Sequence, residues 1–432
     1  MEEDFFWSRV SFSMVRQFPH CVVFCLEVAR IISFQNTVRT IAKGMKSGVR
    51  GGFCLCVVLC VWAAGTAIAR TEVPTWHLRE ACVEDGRRLE YGFFADFRPV
   101  SYSENLDPDS SGFNSHLGYE ADLLTALETM EGAGLIFNRS AIGKWPGIWL
   151  LPATPRYDLV GGGITILESR TRDATGTTKV TFTSGHIIFR QSLLVRAEDA
   201  RRYGSYDDLD DARVAVLGGS TGEHRLLQLT GVVDAEGNLA AGTMIHLGDG
   251  TRLTADGSAD YRITAAASTG NLSGRTRIEG TRGTVREVLI MSTDQEQLDA
   301  LDNGVVDAVA RGEVGNHEAS RSSNSRFVVT ALDPEVEYGG FAFDKDDRAL
   351  ADCIDARINY LTDNRRIGFA EWVEDPEVFL KRARYWNASA EDDSDGCSIA
   401  ATSSTHQSTL LNLLLAASIL FSVVFLRERI WR

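Results

Sequence analysis

Between residues 88 and 386, short apolar runs alternate with stretches whose apolar positions recur every three or four residues, and this alternation restricts the fold more than any other feature of the chain. A short apolar run makes a strand, and a 3.6-period stretch makes a helix that must bury one face against a sheet. Repetition of that pair is the pattern of βαβ units around a mostly parallel sheet. LEYGFF reads as a strand, and GYEADLLTALETMEGAG carries apolar residues at helical spacing and stops at glycine. YDLVGGGIT is a strand with a glycine-rich exit, and ARVAVLGGSTGEHRLLQL gives strand, tight loop and helix. REVLIMSTDQEQLDALDNGVVDAVA repeats that plan, and RALADCIDARINYLTDNRRIGFAEWV is helical. At 432 residues with 44% apolar content, the chain can bury two cores. The expected class is α/β in two lobes.

Residues 232–283 change in style to Gly, Thr, Asp and Arg with weak alternation, as in TRLTADGSADYRITAAASTGNLSGRTRIEG. This reads as an inserted β-hairpin or a disordered arm rather than core, either a tolerated surface insertion or a partner surface.

The two ends carry different signals. Around Met45, Lys46 and Arg50 precede a short apolar run that ends in Ala67-Ile68-Ala69, the three parts of a secretory signal peptide over residues 45–69. Residues 1–44 have no place in that scheme and read as a gene-model extension or as part of a longer, uncleaved leader. At the other end, LLNLLLAASILFSVVFL spans residues 410–426 and is followed by Arg427, Arg429 and Arg432. At about 1.5 Å per residue it is just long enough to cross a bilayer. The arginines place residues 427–432 on the cytoplasmic side and the body outside, so the expected location is a single-pass cell-membrane protein with a periplasmic or extracellular body. A buried core helix is the alternative reading of that run. Residues 388–409, polar and acidic, read as a flexible tether.

A formal charge of −15 without concentrated Lys and Arg argues against a nucleic-acid partner. Of the eight cysteines, only Cys82, Cys353 and Cys397 lie beyond the leader. None has metal-type spacing, so they offer one disulfide and one free thiol, with the pairing open. No Ser-His-Asp order, metal-ligand spacing or dinucleotide fingerprint stands out, and no cofactor or metal is expected. His186 and His317 read as surface or hydrogen-bonded structural residues.

The order of motifs GFFADFRPVSY, GYEADLL, WPGIWLLPATPRYDLVGGGIT, GGGITILESR, SLLVR, VAVLGGSTGE, DNGVVDAVA and EYGGFAF resembles the family-3 extracellular solute-binding proteins, the polar amino-acid-binding proteins of ABC importers. The resemblance implies a two-lobed, type II periplasmic-binding-protein fold with a hinge, to which the C-terminal transmembrane helix would be added. The first lobe would comprise residues 86–192 and 339–387, and the second residues 193–338. It implies that Arg170 binds a ligand carboxylate, that Thr165 and Gly163 offer contacts beside it, and that Phe97 and Trp145 stack on the ligand. The residues support part of this independently. Arg170 follows a glycine-rich strand end, where doubly wound sheets open into a ligand crevice, and a guanidinium there can hold a carboxylate bidentately. Ser220 and Thr221 stand at a helix N-terminus in the other lobe, where free amides favour an anion.

The sequence also departs from that family. Gly312 occupies the position of the aspartate that holds a ligand ammonium, with Glu313 beside it as the nearest acid. Phe94 fills a second acidic position in the opening loop. The implied function is an exported, membrane-anchored binding protein that closes on a small carboxylate, an amino acid or related acid, and delivers it to an ABC permease. It is not expected to be an enzyme. The alternatives are a cyclohexadienyl-dehydratase-like lyase, against which Gly315 replaces the expected glutamate, and an interaction module with a vestigial cleft.

Overall fold

The computed structural model describes residues 80–83 and 86–394, all within one compact unit of the chain, Thr75–Arg432. The expected leader, the stretch before it, the membrane helix at 410–426, its stub and Cys397 lie outside the described residues. Among the described residues no helix is long and apolar enough to cross a membrane.

The chain enters on β1 (Leu89–Phe94), folds back through β2 (Asp96–Phe97), β3 (Ser101–Ser103) and β4 (His116–Leu117), and turns into α1 (Tyr119–Thr129). After β5 (Phe137–Ile142), β6 (Leu159–Gly161) and β7 (Val180–Phe182), β8 (Ile187–Phe189) leaves this region and β9 (Gln191–Arg196) enters the next. There follow β10 (Arg213–Leu217), α2 (Thr221–Leu229), β11 (Met244–Leu247), β12 (Arg252–Thr254), β13 (Arg275–Glu279), β14 (Glu287–Met291), α3 (Asp294–Asp302), β15 (Ala308–Gly312), α4 (Glu313–Ser322) and β16 (Phe327–Leu332). β17 (Glu337–Gly339) returns beside β8, and β18 (Ala342–Asp344), α5 (Arg348–Leu361), α6 (Phe369–Glu374) and α7 (Val378–Ser394) close the chain back on the first region.

Two main sheets result, each with its own core, and they define two α/β lobes. The first has strand order β5-β1-β6-β18-β7, with β5, β1 and β6 parallel and β18 antiparallel to β6. The second has order β12-β11-β13-β14-β10-β15-β9-β16, a parallel centre of β14, β10 and β15 flanked by antiparallel strands. β8 and β17 pair antiparallel as a ribbon where the chain leaves the first lobe and comes back.

The apolar runs explain the placement. Every residue of β1 except Glu90 is buried, as expected of a strand covered on both faces. α1 buries Leu123, Leu124 and Leu127 against that sheet and packs on α7. Gly118 at its start has φ 103°, and a Cβ there would lie 2.5 Å from the Pro99 carbonyl, so only glycine permits this entry. A disulfide ties Cys82 to Cys353 on α5, joining the entry of the first lobe to its closing helices and settling the pairing that spacing left open.

Two expectations are corrected. Residues 232–283 are core after all: Leu239, Ile245, Ile263, Leu272 and Ile278 are fully buried in the second-lobe core, and β11 to β13 extend its sheet. After Val232 and Val233 their buried apolar residues come singly, about one to a strand or turn, so no buried run announces an element. The expected tether also starts late, because α7 continues as helix to Ser394.

Candidate ligand cleft between the lobes

A cavity of about 50 Å³ lies between the lobes. The first lobe contributes Phe94, Phe97, Trp145, Gly163 and Thr165, and the second contributes Gln191, Leu217, Ser220, Thr221, Asp294, Arg311 and Gly312, with Phe189 from the ribbon. The walls are aromatic: Phe94 meets Trp145 edge-on at 5.0 Å between centroids, and Phe97 meets Phe189 at 6.4 Å. Trp145 also donates its Nε1–H to the Gly219 carbonyl at 3.1 Å, a hydrogen bond across the lobes.

The floor is the glycine turn after β6. A Cβ on Gly162 would sit 2.4 Å from the Phe94 Cβ, and one on Gly163 2.5 Å from the Phe97 ring, both at positive φ, so aromatic walls and backbone approach this closely only with glycine here. Glu120, fully buried, holds the turn in place. Its carboxylate accepts the Gly162 and Gly163 N–H groups at 2.7 and 2.9 Å and the Tyr91 hydroxyl at 3.2 Å, and it lies 3.0 Å from His186 Nε2. His186 is therefore a hydrogen-bonded structural residue. Burial, and then Glu120, push the Tyr91 hydroxyl well above its usual range.

Polar groups of both lobes converge on the cavity. The Thr165 and Thr221 hydroxyls stand 3.4 Å apart. Thr165 donates to Glu337 at 2.6 Å, and the Gln191 amide donates to Thr221 at 2.9 Å and to Glu337 at 2.8 Å. Ser220 lines the cavity as the N-cap of α2, and its hydroxyl accepts the Glu223 N–H at 3.0 Å. The helix begins at Thr221, so its first turn faces the cleft.

At the other end stand Arg311 and Asp294. Arg311 Nη1 is 2.6 Å from Asp294 Oδ2, while its Nε donates to Asn316 and its Nη2 to the Gly315 carbonyl, each at 2.8 Å. Asp96 of the first lobe accepts the Asp294 backbone N–H at 2.8 Å, joining the lobes. Burial pushes the Asp294 carboxyl up to about 6, with Asp96 adding to the rise and Arg311 opposing it. Asp96 is likewise raised by burial, against the hydrogen bond from Asp294 and the charges of Arg311 and Arg98.

Two expected residues lie elsewhere. Arg170 does not line the cavity. It is fully buried in the turn Glu168–Thr171, where Nε and Nη2 donate to the Ala265 carbonyl at 3.0 and 2.9 Å and Nη1 to the Thr165 carbonyl at 3.2 Å. Its guanidinium stacks over Trp149 at 4.3 Å and Trp145 at 5.6 Å. Burial lowers its pKa to about 10, partly offset by Glu337. The strand exit turns the side chain under the tryptophans, so it fastens residues 264–268 of the second lobe to the first. Glu313 likewise faces away, because it opens α4 and lines a surface hollow with His317 and Arg321.

Asp294, Arg311, Gln191, Phe189 and Glu337 are the cleft residues that sequence reasoning missed. Asp294 carried a signal: it opens α3 behind a capping box, in the same strand-turn-helix plan that singled out Ser220 and Thr221. Arg311 sits beside Gly312 at a strand end. Gln191, Phe189 and Glu337 had none, since each reaches the cleft only through the pairing of β8 with β17 or the path of β9. Among the described residues no group of three or more His, Cys, Asp or Glu is placed to hold a metal ion.

No protein-family model and no curated protein matches the chain. Solved structures similar to it include holo ArgBP from T. maritima, at 19% identity over 64% of this chain and 90% of that one, with a TM-score of 0.41. Others are the arginine-, lysine-, histidine-binding protein ArtJ from Geobacillus stearothermophilus, at 17% identity over 69% and 95% with a TM-score of 0.42, and the ancestral amino acid-binding protein AncCDT-1, a precursor of cyclohexadienyl dehydratase, at 19% over 69% and 95% with a TM-score of 0.43. At such values the likeness carries no weight for ligand or mechanism, and the fold rests on the sheet topology above.

Proposed function

We propose that this chain is a solute-binding protein that closes on a small carboxylate-bearing ligand, an amino acid or a related organic acid. The observation that carries the reading is the convergence of Thr165 from one lobe and Thr221 from the other on one cavity between them, which Arg311 and Asp294 also line. The Thr221 hydroxyl and the first turn of α2 suit a carboxylate, and the ion pair offers both signs of charge to the rest of the ligand. A site made of two halves links occupancy to closure, because only the closed form brings both sets of groups to the ligand. The apolar segment at 410–426 with its trailing arginines supports an exported body held at a membrane, and delivery to an ABC permease is the role that arrangement serves.

A thermal-unfolding screen of the full chain against amino acids, keto acids and other small carboxylates tests the reading. A ligand that binds only the folded state adds about 2.7 kcal/mol at a hundredfold excess over its Kd. Stabilisation by a carboxylate that Thr221→Val weakens supports the proposal, and no shift across the panel overturns it. A second reading, a lyase, rests on Asp294: a carboxyl pushed up to about 6 beside a cavity is able to exchange a proton near neutral pH. Turnover of a cyclohexadienyl acid that Asp294→Asn abolishes would select it.

A further inference from the structure

Around the cavity between the lobes, hydrogen-bond donors and acceptors do not balance. Gln191 opens β9, is only 3% exposed, and lines that cavity together with Thr221 and Gly222 of α2. Its amide Nε2 donates to Thr221 Oγ1 at 2.9 Å and to Glu337 Oε1 at 2.8 Å. A carboxylate only accepts, so Glu337 fixes which end of the amide is nitrogen. The other end, Gln191 Oε1, is buried and has no hydrogen-bond partner among the described residues. It lies beside Gly222, where a Cβ would stand 3.0 Å from it. A buried acceptor without a donor is destabilising, so such an atom on a cavity-lining side chain marks the place of a donor brought by an occupant.

The hydroxyls add to the same count. Thr165 gives its proton to Glu337 Oε2 at 2.6 Å, so towards the cavity it can only accept. Thr221 Oγ1 accepts from Gln191 and stands 3.4 Å from Thr165, long for a hydroxyl pair, which leaves its own proton for an occupant. The N–H groups that open α2 lack helical partners and lie beside it. The wall at α2 therefore offers donors, and next to them stand two acceptors, Thr165 Oγ1 and Gln191 Oε1. A carboxylate with a hydroxyl or an ammonium on the adjacent carbon presents the complementary pattern. The volume of about 50 Å³, roughly four water-sized occupants, leaves little space for more.

We propose that Gln191 is a specificity-determining residue of this site, with Oε1 accepting a hydrogen bond from a hydroxyl or ammonium next to the ligand's carboxylate. The ligand is then a two- or three-carbon 2-hydroxy or 2-amino acid. This inference rests on the solute-binding reading and deepens it by naming the ligand class. An acid without that donor leaves Oε1 buried and unpaired, and the site discriminates against it for that reason.

The test measures, by calorimetry on the full chain, the affinities of acetate, glycolate and glycine, which share a carboxylate and carry no donor, a hydroxyl or an ammonium on the next carbon. The better of glycolate and glycine is expected to bind about tenfold tighter than acetate, and which of the two it is identifies the donor. Gln191→Met keeps the length of the side chain, removes the acceptor, and should bring that ratio close to one. Loss of the Nε2 bonds weakens the site for all three acids together, so the ratio reads Oε1 apart from damage to the fold. Gln191→Asn draws the carbonyl back by one carbon and should lower the ratio with less disturbance. If acetate equals both other acids in the wild type, or the ratio survives in whichever variant folds, the inference is overturned while the solute-binding reading stands. The same holds if none of the three binds but a larger carboxylate stabilises the chain. If no acid of any size binds, that reading falls and this inference with it.

Discussion

Two buried arginines flank the same cleft, and the protein accommodates their charges in opposite ways. Arg170 has no carboxylate within ion-pair distance among the described residues. Its hydrogen bonds go to two backbone carbonyls, its faces to tryptophans, and the cost of burial shows on the arginine, whose pKa falls to about 10. Arg311 is held by Asp294 at 2.6 Å, and there the cost shows on the acid, which rises to about 6. A guanidinium among carbonyls and aromatic rings is a strut, since its partners cannot titrate or leave. A guanidinium against a raised carboxyl, on a residue whose backbone N–H donates to Asp96 of the other lobe, is a joint that responds to protons. Charge burial thus fixes one side of the cleft and leaves the other adjustable.

Removing Arg311 should break this contrast most severely. Arg311→Ala leaves Asp294 buried beside Asp96 without its cation, an expected loss of about 3–5 kcal/mol in denaturant unfolding. Arg170→Met leaves the Ala265 and Thr165 carbonyls unsatisfied and should cost about 2–3 kcal/mol. Hydrogen exchange should then speed up at residues 264–268 and not at β15, and an unchanged rate there would show that Arg170 is no strut. Arg170→Lys keeps the charge but not the planar fork, so it should still lose about 1–2 kcal/mol.

The joint makes a pH prediction. With Asp294 raised to about 6 in the folded protein, the cost of its buried charge is present above that pH and is relieved as pH falls towards the ordinary value of 3.8. The contribution of this site to folding stability should therefore improve between pH 7 and pH 5, and Asp294→Asn should flatten the dependence. Asp96, also raised, steepens the same trend. Wild type and Asp294→Asn changing stability in parallel on acidification would sink the idea. The smallest effect is expected from Thr221→Val, about 1 kcal/mol of ligand affinity with little change in folding stability.

Much of the architecture was written in local pattern. LEYGFF, the GYEADLL helix and the strand-turn-helix units at β10-α2 and β14-α3 stand where the apolar periodicity places them, because burial on one face leaves a period that can be read without partners. Phe97, Trp145, Gly163, Thr165, Ser220 and Thr221 all reach the cleft, each lying at or near a strand end or a helix start, places where an α/β sheet opens. Residues 232–283 defeated the same logic, since core contributions made one side chain at a time leave no period.

What local pattern could not contain is direction and partnership. Arg170 was legible as an arginine at a strand exit. Only the fold turned it under Trp149 towards Ala265, ninety-five residues away in the chain. Gln191 and Glu337 meet because β8 pairs with β17, a contact set by how the two lobes are joined. The residues decide which segments are strand, helix or turn, because that depends on neighbours three or four positions away. Which buried charge meets which partner depends on contacts between segments far apart in the chain, and those exist only once both sheets have formed.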